Sequence, residues 1–153
     1  MGIYLNPDNK GFEQAIRSKI YVDKTELIAC TNELLNTKER FACVSRPRRF
    51  GKSMALEMLA AYYGRGCDSR ELFAGLKIEG DSSFEEHLNK YDVIFLNMQR
   101  FLIRAKKQDM TEYLEQEVIK DLRKAYGGLF SEQETILAAV LEQIYVETGK
   151  QFV

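Results

Sequence analysis

The chain has 153 residues, 45% of them hydrophobic, which is about one domain's length and enough apolar material for one sizeable core. Its 22 lysines and arginines oppose 23 aspartates and glutamates for a formal net charge of -1, so no global field draws it to nucleic acid or an anionic membrane. An anion site, if there is one, must be local.

Cys30, Cys43 and Cys67 are odd in number and widely spaced, which suits neither a disulfide framework nor zinc spacing, and they read as reduced structural thiols. No apolar run reaches the roughly 18 residues that a membrane span needs. The stretch from Met1 to Pro7 lacks the basic start and apolar run of a signal peptide, so a cytoplasmic protein is expected. Repeats, low-complexity tracts and Pro-rich linkers are missing, and one domain over 1–153 is the expectation.

In chain order, the first helix start is Asp23-Lys24-Thr25-Glu26, an acidic N-cap with Glu three residues on, followed by Leu27, Ile28, Leu34 and Leu35 at helical spacing to about residue 36. Phe41-Ala42-Cys43-Val44 is a short apolar run of the kind that forms a buried central strand of a parallel sheet. From Met54 to Tyr63 the only charge is Glu57, which predicts a buried helix stopped by Gly64. Between 64 and 90 four glycines interrupt short amphipathic pieces, and loops with short helices are expected.

Val93-Ile94-Phe95-Leu96 reads as a second buried strand. A helix carrying Tyr113, Leu114, Val118, Ile119, Leu122 and Tyr126 on one face follows. Another opens with the capping box Ser131-Glu132-Gln133-Glu134, carries Ile136, Leu137, Val140, Leu141, Ile144 and Tyr145, and closes at Gly149. Phe152-Val153 look like the start of a further strand. This order predicts an α/β fold with a parallel sheet and flanking helices, incomplete at its C-terminal end.

A phosphate-binding loop needs converging backbone N–H groups, a lysine for the terminal phosphates and a hydroxyl for magnesium, set between a buried strand and a helix. Gly51-Lys52-Ser53 supplies all three, between the runs at 41–44 and 54–63. The pattern G-x-x-x-x-G-K-[ST] would place glycine at 46, where this chain has Arg46. Arg48 and Arg49 add charge suited to phosphate oxygens, to solvent or to a partner.

Three segments, Tyr21-Val22-Asp23-Lys24-Thr25, Ser45-Arg46-Pro47-Arg48-Arg49-Phe50-Gly51-Lys52-Ser53 and Glu71-Leu72-Phe73-Ala74-Gly75-Leu76, resemble the predicted AAA-ATPase-like proteins of bacteria. These are related to P-loop ATPases whose loop reads G-P-R-R-x-G-K-[ST], and the resemblance runs from about Gly11 onward. It implies that Lys52 contacts the β/γ phosphates of ATP, that Ser53 ligates Mg²⁺, and that Arg48, Arg49, Phe50, Gly51, Lys52, Ser53 and Met54 form the cradle. Proteins of this kind look longer, with a Walker B strand ending in acidic residues after the second long helix and often a nuclease-like domain beyond. By that resemblance the chain is expected to bind nucleotide and to hydrolyse it only if a Walker B element is supplied.

Other residues leave alternatives open. Asn97 follows four apolar residues as a Walker B acid would, but an amide is no general base, and the favoured reading is a polar residue at the carboxyl end of a sheet strand. Asp92 is expected on the opposite edge of the sheet. Tyr21, Asp23 and Lys24 either border the adenine or cap a helix. His87, the only histidine, sits among Glu85, Glu86 and Lys90 and is expected to be solvated. Carboxylates are scattered as surface charge, and no metal cluster is expected. A non-catalytic module that self-associates through an exposed sheet edge, and nucleic-acid binding through Arg46, Arg48, Arg49 and Lys52, are the alternatives to nucleotide binding.

Overall fold

The computed structural model describes residues 2–105 and 109–153. They fall into two compact units, Asp8–Lys90 and Met1–Pro7 with Tyr91–Val153.

In the first unit, α1 (Lys10–Ile16) packs on α3 (Lys52–Tyr63), with α2 (Glu26–Leu34) between them in the chain. The approach is close where Gly11 faces Glu57, because a Cβ on Gly11 would stand 2.9 Å from the Glu57 carboxyl carbon. After α3 come two single-turn helices, α4 (Arg70–Phe73) and α5 (Phe84–His87), with a 3₁₀ turn at Lys77–Gly80 between them, as the glycine-broken sequence predicts. The core is aromatic. Phe12 stacks on Phe73 at 5.0 Å, and the Tyr62 ring meets Phe73 and Phe84 at 5.7 Å each.

Buried hydroxyls in this core are partnered: Tyr62 donates to Phe84 O at 2.8 Å, and Tyr63 donates to Asn32 Oδ1 at 2.7 Å. Gly64 does end α3, but with φ -68° it does not take the left-handed cap conformation. Asn89 substitutes for that cap, its amide donating to Ala61 O at 3.0 Å and to Gly64 O at 2.6 Å.

The second unit contains α6 (Met98–Ala105), α7 (Met110–Tyr126) and α8 (Leu137–Thr148). Its core joins Tyr4, Leu5, Phe101, Val118, Ile119, Leu122, Tyr126, Val140 and Ile144, with Tyr4 stacked on Phe101 at 4.8 Å. The face predicted for α7 is the face it buries. Asp109 caps that helix, accepting from the N–H groups of Thr111 and Glu112. α8 starts at Leu137 rather than at the Ser131 box, because Glu134 turns its carboxylate onto the N–H groups of Thr135 and Ile136 and the chain stays a turn. Gly149, φ 66°, closes α8 in the left-handed conformation as expected.

The expected α/β fold with a parallel sheet is overturned: the chain is mostly helical, and no strand forms among the described residues. Residues 92–95 hold only two isolated bridges, antiparallel between Leu5 and Ile94 and parallel between Asp92 and Phe152. Phe41–Val44 takes no regular secondary structure and is solvated, with Phe41 84% and Val44 53% exposed. A parallel strand is buried only where neighbouring strands take up its N–H and C=O groups. Among the described residues no backbone hydrogen bond ties 41–44 to such a neighbour.

Candidate functional site

The segment 40–47, without regular secondary structure, leads into a turn at Arg48-Arg49, and the chain then enters α3. Two residues in the left-handed region make the reversal, Arg49 with φ 69° and Gly51 with φ 78°. Glycine takes that conformation without cost, whereas a residue with a Cβ is strained there by about 1 kcal/mol or more. Gly51 is the N-cap of α3, and its carbonyl accepts the first helical bond, from Ala55 N at 2.9 Å.

The N–H groups of Lys52, Ser53 and Met54 belong to the first turn and have no intrahelical carbonyl to meet. Among the described residues no side chain caps them, and no acidic residue stands in that turn. The positive end of a 12-residue helix is therefore left open at the residues whose sequence predicts a phosphate cradle.

Lys52 folds back over the loop. Its Nζ donates to Arg46 O at 2.5 Å and to Pro47 O at 2.9 Å, so Arg46 contributes its carbonyl where the common pattern has glycine. Lys24 reaches the same loop from the segment before α2, donating to Phe50 O at 3.2 Å. Arg48, Arg49, Phe50 and Ser53 are exposed, and the Met54 methyl lies 3.4 Å from where a Gly51 Cβ would be.

The neighbouring Tyr21–Thr25 segment is a hydrogen-bonded node. Asp23 Oδ1 accepts from Thr25 N at 2.8 Å and its hydroxyl at 2.7 Å, and Oδ2 accepts from Lys77 N at 2.8 Å. Desolvation pushes the Asp23 carboxyl upward, but the Thr25 and Lys77 N–H groups, the Thr25 hydroxyl and the Lys77 charge outweigh it and hold the carboxyl below its usual value. Asp23 thus closes a local turn ahead of α2, whose N-cap is Thr25, and Glu26 pairs with Lys77 Nζ at 2.8 Å instead of completing a capping box. Tyr21 is half-buried, edge-on to Phe12 at 6.3 Å, and burial followed by the Asp23 charge raises its phenol.

Other residues singled out in the sequence lie in different settings. Asn97 is exposed and accepts from Gln99 N at 3.1 Å at the start of α6. Asp92 is 1% exposed and accepts from the Asn6 amide and the Tyr126 hydroxyl, so it is a structural carboxylate of the core and not a sheet-edge residue. His87, expected in solvent, is 8% exposed, with Nε2 3.8 Å from Glu86 Oε1. Cys30 and Cys43 are exposed free thiols, and Cys67 is half-buried. A groove of about 760 Å³ lies along α8, lined by residues such as Phe130, Gln143 and Val146, and contains no residue of the Arg46–Met54 loop.

The family described as Predicted AAA-ATPase matches residues 10–153, nearly the whole chain. The chain belongs to that family. No curated protein and no solved structure matches it. Members of an AAA-ATPase-like family usually use ATP and Mg²⁺, and the open first turn of α3 with Lys52 beside it fits the phosphate half of that ligand. For the metal half the loop offers the Ser53 hydroxyl; among the described residues no group of three His, Cys, Asp or Glu side chains gathers to hold an ion. No described helix is long and apolar enough to cross a membrane.

Proposed function

We propose that this AAA-ATPase-like chain binds the phosphates of ATP on the loop from Arg46 to Met54. The observation that carries the reading is the uncapped, acid-free first turn of α3, entered through the left-handed Gly51 and flanked by Lys52. The N–H groups at Lys52, Ser53 and Met54 bind phosphate oxygens, and Lys52 leaves the Arg46 and Pro47 carbonyls for the outer phosphates. Arg48 and Arg49 add charge from the turn, and the exposed Phe50 borders it.

Bound Mg²⁺ neutralises phosphate charge, and Ser53 is the residue of this loop that would hold it. The reading is limited to binding; turnover needs in addition a group that orients the attacking water.

Calorimetry with Mg-ATP on the wild type, Lys52→Ala and Ser53→Ala tests it. Saturable binding that weakens at least tenfold in Lys52→Ala, with the Ser53→Ala loss seen only when Mg²⁺ is present, is expected, since a charge-assisted hydrogen bond contributes about 1.5–3 kcal/mol. Absence of binding to the wild type overturns it.

A further inference from the structure

The phosphate loop is held by two ammonium groups, not one. Lys52 lies on the carbonyls where the chain enters the turn, and Lys24 lies on the Phe50 carbonyl where it leaves. The Lys24 Nζ is 3.5 Å from the position of a Gly51 Cβ, which places it beside the N-cap of α3 and the open N–H groups that follow.

The backbone that delivers Lys24 is fixed on both sides. Asp23 is bound to Thr25 and to Lys77 N, and Thr25 is fully buried and accepts from Ile78 N at 3.2 Å. The Lys24 side chain itself is exposed, and among the described residues its hydrogen bond is the one to Phe50 O. An ammonium has three donors, so one peptide carbonyl leaves capacity for an anion at the same place. A neutral carbonyl is also a weaker partner than a phosphate oxygen.

We propose that Lys24 is a second phosphate-binding lysine of this site and makes it favour nucleoside triphosphates over monophosphates. The inference rests on the reading of the loop as a phosphate site. A triphosphate spreads its charge along a chain that two lysines, at the entry and the exit of the turn, can both reach, while a monophosphate engages the first turn of α3 and one of them.

The test is calorimetric titration of ATP, ADP and AMP into the wild type, Lys24→Met and Lys24→Arg, with thermal melts of each. Lys24→Met should weaken ATP about tenfold and AMP less than about twofold, and Lys24→Arg should recover most of the ATP affinity, all three proteins melting together. Wild-type binding with unchanged ATP affinity in Lys24→Met overturns the inference and leaves the loop as a phosphate site. Equal losses for ATP and AMP, with a lowered melting temperature, overturn it in favour of a latch on Phe50. A wild type that binds none of the three removes the phosphate-site reading itself, and the role of Lys24 with it.

Discussion

The Tyr126 hydroxyl donates to Asp92 Oδ2 at 2.6 Å, and the two residues belong to different parts of the chain: Tyr126 ends α7, and Asp92 begins the extended stretch before α6. Asn6 holds the other carboxylate oxygen at 2.6 Å and accepts from Val93 N at 2.8 Å. One buried carboxylate thus orients α7 against the N-terminal segment. Tyr126→Phe keeps the ring and removes one donor, so it should cost about 1–3 kcal/mol in urea unfolding. A cost below about 0.5 kcal/mol would show that water replaces the hydroxyl there.

Asp121 predicts an acid limit to the second unit. It is 4% exposed and accepts from Tyr4 N at 2.8 Å. Burial pushes its carboxyl up from 3.8, but the Tyr4 N–H, the Lys124 ammonium and the Ile3 N–H prevail and hold it lower. A carboxyl lowered by folding stabilises the native state fully above its unfolded value, and that contribution fades as pH falls through the folded one. Asp121→Asn should therefore destabilise the chain at pH 7, and the gap to wild type should shrink below about pH 4. Parallel denaturation curves at pH 7 and pH 3 check this, and a gap that stays constant would refute the assignment.

Gly51 and Gly149 are both left-handed helix caps, at φ 78° and 66°, but only Gly51 lies on the loop proposed to bind phosphate. Alanine at either position should cost about 1–2 kcal/mol from backbone strain. Nothing lies within 4 Å of a Cβ at Gly149, whereas one at Gly51 meets Met54 at 3.4 Å and Lys24 at 3.5 Å. Melting temperatures should fall for both variants, and Mg-ATP affinity only for Gly51→Ala. Equal affinities in the two variants would separate the loop from the ligand.

Helices with a local cause were legible in the sequence. α3 follows its glycine, α7 follows a stripe at three- and four-residue spacing, and α8 ends where Gly149 stands. The runs at 41–44 and 93–96 predict strands because a short apolar run is compatible with burial on both faces. Their fate depends on neighbours that periodicity does not specify: 92–95 finds Tyr4 and Val153 as backbone partners, and 41–44 finds none among the described residues.

The candidate site divides the same way. The order Gly51-Lys52-Ser53 is visible in the sequence, but the Lys24 contact joins residues 26 positions apart and the Asn89 cap reaches back 25 to Gly64. No motif encodes such pairings. α6 has no legible apolar stripe, since Phe101 is buried while Leu102 and Ile103 are exposed, and the charged sequence neighbours of His87 hide a buried ring.

The bond from Phe95 N to Tyr4 O, 2.8 Å long, also sets an order of events. Contacts within Asp8–Lys90 can form once residue 90 has left the ribosome, because that unit is continuous in the chain. Tyr4 and Leu5 emerge before any of it but must wait for residues 94 and 95, and then for α7 and α8 to supply the rest of their core. During synthesis the segment around Tyr4 and Leu5 is made before Asp8–Lys90 yet is buried after it, so two apolar side chains wait exposed through the interval.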